Sequence, residues 1–110
     1  MSMWADYHKE RTGKGVLEVP DKGFAIYSFP TPDQVWIEDI YTVPETRKTG
    51  FAKRLADEIC EIGRDRGCKQ VLGSVWSEAK GATTSIQVLL AYGMQLSHTE
   101  GKLIVFEKEL

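Results

Sequence analysis

A basic excess is the first thing this chain lacks. Its 110 residues carry 14 lysines and arginines against 16 aspartates and glutamates, a formal net charge of −2. Nucleic acid or an anionic membrane face would meet no overall attracting field, so neither is an expected partner. Long apolar runs are missing too. No stretch approaches bilayer-crossing length, and residues 1–13 are too polar for a secretory leader. Cysteine is scarce, with Cys60 and Cys68 alone. Cys60 falls inside a predicted helix and Cys68 just past its end, which predicts free thiols in a reducing cytoplasm rather than a disulfide framework. His8 and His98 stand far apart with no cysteine or carboxylate at ligand spacing, so no metal site is predicted. Length and an apolar content of 42% suit one domain over residues 1–110.

The positive charge that is present gathers in one place. Trp36, Ile37, Ile40, Tyr41, Thr42 and Val43 are β-branched or aromatic and predict a strand over 35–43, which Pro44 ends. Phe51, Leu55, Ile59 and Ile62 repeat at helical spacing and predict a helix over roughly 50–66, stopped by Gly67. At the joint lie Arg47, Lys48, Lys53 and Arg54 around Gly50. A helix start offers unpaired N–H groups and the positive end of the macrodipole. Gly50 can take positive φ and lets a ligand come close, so the turn suits a phosphate or pyrophosphate.

Around the joint the remaining elements fall into order. Residues 2–12 predict a short helix, ended where Gly13 and Gly15 flank Lys14; the earlier glycine of a phosphate-binding P-loop is missing there. Strands follow over 16–19 and 24–29, with turns at 20–23 and 30–33. In 70–76 the apolar Val71, Leu72, Val75 and Trp76 point to both faces, which predicts a central strand covered on two sides. A second helix over 82–92 precedes Gly93, and 94–99 and 102–108 close the chain as a hairpin. The expected fold is α/β, a mixed sheet in the order α-β-β-β-α-β-α-β-β. A helix of 1–13 stands before a core of 14–110 that holds a central βαβ unit.

Val43–Pro44–Glu45–Thr46–Arg47–Lys48–Thr49–Gly50–Phe51–Ala52 resembles the acyl-CoA-binding signature of the GNAT superfamily of N-acetyltransferases, here as Arg47-x-x-Gly50-x-Ala52 between strand and helix. The likeness implies acetyl-CoA as co-substrate, with no metal. It implies that backbone amides of Lys48, Thr49, Gly50, Phe51 and Ala52 hold the pyrophosphate, helped by Arg47. Tyr41 and Val43 would pair through backbone with the pantetheine arm where two strands splay. An amide at Ile40 or Tyr41 would stabilise the oxyanion. The acceptor amine, on a small molecule or a protein, would attack directly.

Glu38 stands where some members carry a base, while Asp39 should face the other way unless a bulge intervenes. The tyrosine that many members use as general acid is replaced by Leu89, Tyr92 is expected to face elsewhere, and Tyr41 and His98 are the substitutes. The front segment is shorter than the family's usual one, which implies an open acceptor cleft or one completed by a homodimer or protein partner. Two other readings stand beside the enzyme: a non-catalytic acyl-CoA-binding or interaction module, and a nucleotide-phosphate binder of another α/β type. The lone Gly50 weighs against the last.

Overall fold

The computed structural model describes residues 3–110. Its elements are α1 (Met3–Thr12), β1 (Gly15–Val19), β2 (Gly23–Thr31), β3 (Gln34–Thr42), α2 (Phe51–Asp65), β4 (Gln70–Trp76), α3 (Ala82–Ala91), β5 (Gln95–Glu100) and β6 (Leu103–Glu109), with a 3₁₀ turn at Pro44–Thr46. The expected element order is the observed one. Serine 2, placed in the first helix by the sequence, lies outside the described residues.

One six-stranded sheet runs β1-β2-β3-β4-β6-β5. Only β3 and β4 are parallel, as a strand–helix–strand connection requires. α2 buries Leu55, Ala56, Ile59, Cys60 and Gly63 against the sheet, where Val35 and Val71 are fully enclosed. Burying Leu55 and Ile59 stabilises the fold by about 1.5–3 kcal/mol each. α3 packs on the same face: a Cβ built on Gly73 of β4 would meet Leu89 and Met94 at 3.1–3.2 Å.

That shared face corrects one expectation. Val71, Gly73 and Val75 of β4 are buried, but Leu72 and Ser74 are only partly so and Trp76 is 50% exposed. β4 is central in the sheet yet, among the described residues, is covered by helices on one side only. Among the described residues, α1 is the helix of the opposite face, seated over β1 and β2 through Trp4 against Phe24. Element ends also shift. Pro30 and Thr31 extend β2 instead of turning, and the last hairpin turns at Gly101 and Lys102, one residue later than expected.

Gly23 fixes the separation of β2 and β3. A Cβ there would lie 2.2 Å from the Tyr41 carbonyl oxygen, a backbone atom with nowhere to go. Gly23→Ala is expected to cost about 1–3 kcal/mol by forcing the strands apart. Thermal unfolding would register that as a fall of roughly 4–8 °C per kcal/mol.

Candidate functional site

The site begins where the parallel strands part. β3 and β4 pair from Gln34↔Gln70 to Ile37↔Gly73 and no further, although β3 runs on to Thr42 and β4 to Trp76. Trp36 Nε1 donates to Ser74 Oγ at 3.0 Å just before the parting. The physical cause is a β-bulge. Tyr27 faces Ile37 and Ile26 faces Asp39, so Glu38 is the inserted residue and bends the strand away.

The bulge also decides which backbone groups look into the slot. Val43 N–H donates back to Lys22 O at 2.9 Å, on the β2 side, and strand alternation puts Tyr41 on that side with it. Ile40 and Thr42 therefore present their amides and carbonyls to the open edge. This corrects the expectation that Tyr41 and Val43 form that edge. Arg47 Nε already donates to the Thr42 carbonyl at 3.1 Å, and its guanidinium stands 5.9 Å from the Tyr41 ring centre.

At the end of the slot, α2 starts without a cap. Gly50 is in the left-handed region at φ 84, no side chain caps the helix, and its first turn holds no acidic residue. The first amide bonded there is Arg54, to Gly50 O at 3.1 Å. Among the described residues, the amides of Lys48, Thr49, Gly50, Phe51, Ala52 and Lys53 donate to no protein acceptor. Arg47, Lys48, Lys53 and Arg54 surround them and are exposed, with Lys53 held by Asp57 at 3.1 Å. The start of α3 is a useful contrast. It too follows a left-handed glycine, Gly81, but its first amide, Ala82, donates to Ala79 O. Among the described residues, the α2 start alone combines a run of open amides with gathered positive charge.

Glu38 is not a solvated strand residue. Its side chain is 15% exposed, Oε1 accepts from Lys14 Nζ at 2.7 Å, and Oε2 is buried with no partner. Lys14 was legible only as the residue between two glycines; nothing local announces a pairing across 24 positions. Asp39 is exposed. Leu89 is packed beneath Gly73, the last residue of β4 paired with β3, and His98 is occupied at the surface by Ser97 and Glu100.

Tyr92 faces elsewhere, as expected, and has structural work there. Its hydroxyl donates to Asp57 Oδ1 at 2.6 Å and lies 3.5 Å from Cys60 Sγ, tying α3 to α2. Burial first, then the Asp57 carboxylate, holds the phenol far above its ordinary pKa. Asp57 is held below its ordinary 3.8, chiefly by the Tyr92 hydrogen bond. Its contribution to stability is present above pH 3.8 and is lost as pH falls through the lower folded value. That of Tyr92 is present below pH 10 and is lost as pH rises through its raised folded value. Tyr92→Phe should cost about 1 kcal/mol at neutral pH. Melting curves of the two proteins should converge in strong acid, where Asp57 is protonated in both.

The mixed sheet, its one parted parallel pair and the open helix start define a class. The family model described as the acetyltransferase (GNAT) family matches residues 4–93, and the chain belongs to that family. Among curated proteins it is 32% identical over 78 residues to a thialysine N-epsilon-acetyltransferase of Sus scrofa, covering 71% of this chain and 45% of that protein. The chain thus spans under half the length of that relative. A GNAT family acetyltransferase from Elizabethkingia anophelis, solved with acetyl-CoA bound, superposes with a TM-score of 0.74 at 13% identity, over 98% of this chain and 87% of that one. The PaiA N-acetyltransferase of Thermoplasma acidophilum, solved with coenzyme A, gives 0.74 at 15% identity, over 94% and 66%. At these identities the structural likeness is one of fold.

Proposed function

We propose that this protein is an N-acetyltransferase that moves an acetyl group from acetyl-CoA to a primary amine by direct attack in a ternary complex. The carrying observation is the run of amides over residues 48–53 without acceptors, at the mouth of the parted strands. A diphosphate fits there: Gly50 leaves its approach clear and Arg47 can turn a guanidinium N–H to it. Acetyl-CoA supplies the thioester; the protein supplies the grip, the oxyanion donor and the base. Ile40 N–H, on the open edge, is the donor for the developing oxyanion, usually a large catalytic contribution. Glu38 takes the proton of the amine, directly or through a water.

The acceptor proposed is a lysine-like ε-amine. Two features support it: the buried, unshared Oε2 of Glu38, which favours a cationic amine, and the activity in the name of the Sus scrofa relative. The setting proposed is a reducing cytoplasm, supported by the two buried free thiols. A second copy or a protein partner would close the acceptor side.

A non-catalytic acyl-CoA-binding module has one observation in its favour: Leu89, at the general-acid position, is partly buried and packs against the core. The thiol of CoA is acidic enough for solvent to return its proton, so the enzyme reading stands without that tyrosine. Free-thiol release from acetyl-CoA, measured with lysine and thialysine, separates the two. The enzyme gives release that depends on the amine; a binding module gives the hydrolysis background at every amine concentration.

A further inference from the structure

We infer that Lys14 is itself an acceptor, acetylated in cis at Nζ by the site it borders. The inference rests on the proposed acetyl transfer. Lys14 Nζ stands 2.7 Å from Glu38 Oε1, the distance at which a base takes a proton from an acceptor amine. It enters from the α1 side, at the bulge where β3 leaves β4. The other ion-paired lysines differ in kind. Lys53 and Lys102 meet Asp57 and Glu78, whose side chains are 51% and 59% exposed, whereas that of Glu38 is 15% exposed. A lysine amine on a nearly enclosed carboxylate where the strands begin to part sits as the proposed substrate would sit. Its own side chain is 40% exposed, which leaves it room to swing. Gly13 and Gly15 on either side of it let the segment adjust.

The step balances without another reagent. Glu38 takes one proton from the Lys14 ammonium, and the freed lone pair attacks the thioester carbonyl carbon. The C–N bond forms, the C–S bond breaks, and the thiolate leaves with the second amine proton. The products are Nε-acetyl-Lys14 and CoA thiol, with one proton released from Glu38 to solvent. Acetylation removes the charge that holds Glu38 Oε1, so the modified chain would present both carboxylate oxygens to an incoming amine.

The test is peptide mass spectrometry of the whole chain after timed incubation with acetyl-CoA, with thiol release onto free lysine followed in parallel. Lys14 should gain acetyl at least about tenfold faster than Lys53 or Lys102, a modest return for a prepositioned amine. The rate should not change on diluting the protein. The label should vanish in Glu38→Gln and in Gly50→Asp, and Lys14→Arg should leave no other site labelled at that rate. Labelling of Lys14 no faster than of Lys53 and Lys102, or a rate that falls in proportion to dilution, overturns the inference. Release onto free lysine with Lys14 unlabelled overturns it while leaving the acetyltransferase reading intact. No release and no label removes both.

Discussion

Gly50→Asp should weaken acetyl-CoA binding by about 10²–10⁴-fold, the largest single effect expected at the binding end of the site. Two causes add. The residue sits at φ 84, where a side chain strains the backbone by about 1–2 kcal/mol. The new carboxylate then stands among the amides proposed to receive a diphosphate, and a like charge a few ångströms away costs about 2–4 kcal/mol at a partly screened site. The space itself is open, since a Cβ on Gly50 would meet nothing within 4 Å, so the change acts through conformation and charge rather than collision. Calorimetry with acetyl-CoA measures it. Gly50→Ala separates the causes, because it keeps the strain and drops the charge. Arg47→Ala should weaken binding less, about tenfold, since Arg47 stands beside the amides and is partly engaged by Thr42. Equal binding by the parent and Gly50→Asp would remove the pyrophosphate assignment.

Glu38→Gln should lower kcat by about 10²–10⁴, the usual worth of a positioned base. KM for acetyl-CoA should hardly move, because residues 48–53 lie at the opposite end of the slot from the Glu38 carboxylate. This split tells a base from a structural residue. A purely structural Glu38, holding Lys14 and the segment after α1, would instead lower the melting temperature and leave kcat per folded molecule unchanged. Glu38→Asp should recover part of kcat, since the charge returns on a shorter arm. Undiminished kcat in Glu38→Gln would leave Glu38 only its pairing with Lys14.

The joint between β3 and α2 was legible because its signals are local. Pro44 stops a strand, Gly50 supplies a left-handed residue, and Phe51, Leu55 and Ile59 mark one helix face within a few turns. The element order followed from the same kind of signal. What the sequence could not carry was contact across distance and the exact phase of a strand. The Lys14–Glu38 pair spans 24 positions and the Asp57–Tyr92 pair 35, and both use residue types that are ordinary on a surface. The bulge at Glu38 inserts one residue into β3, which is enough to exchange the backbone groups that face β2 with those that face the slot. Tyr41 and Val43 were misassigned to the slot edge for that reason. Leu72 and Trp76 suggested a strand covered on both sides, but apolar type alone does not say which element covers it. Leu89 was legible as a departure from the family, and it is packed against Gly73.

Main-chain N–H groups over residues 48–53, left without acceptors by the fold, are proposed to hold the diphosphate of coenzyme A. The most direct measurement is an amide-resolved NMR titration of the protein with CoA. The account predicts that the largest saturable shifts fall on residues 48–53, with Ile40 following as the slot fills, and that desphospho fragments of the pantetheine arm move Ile40 without moving that run. Saturable binding that leaves the amides of residues 48–53 unshifted, or shifts concentrated at another part of the sheet, would contradict it.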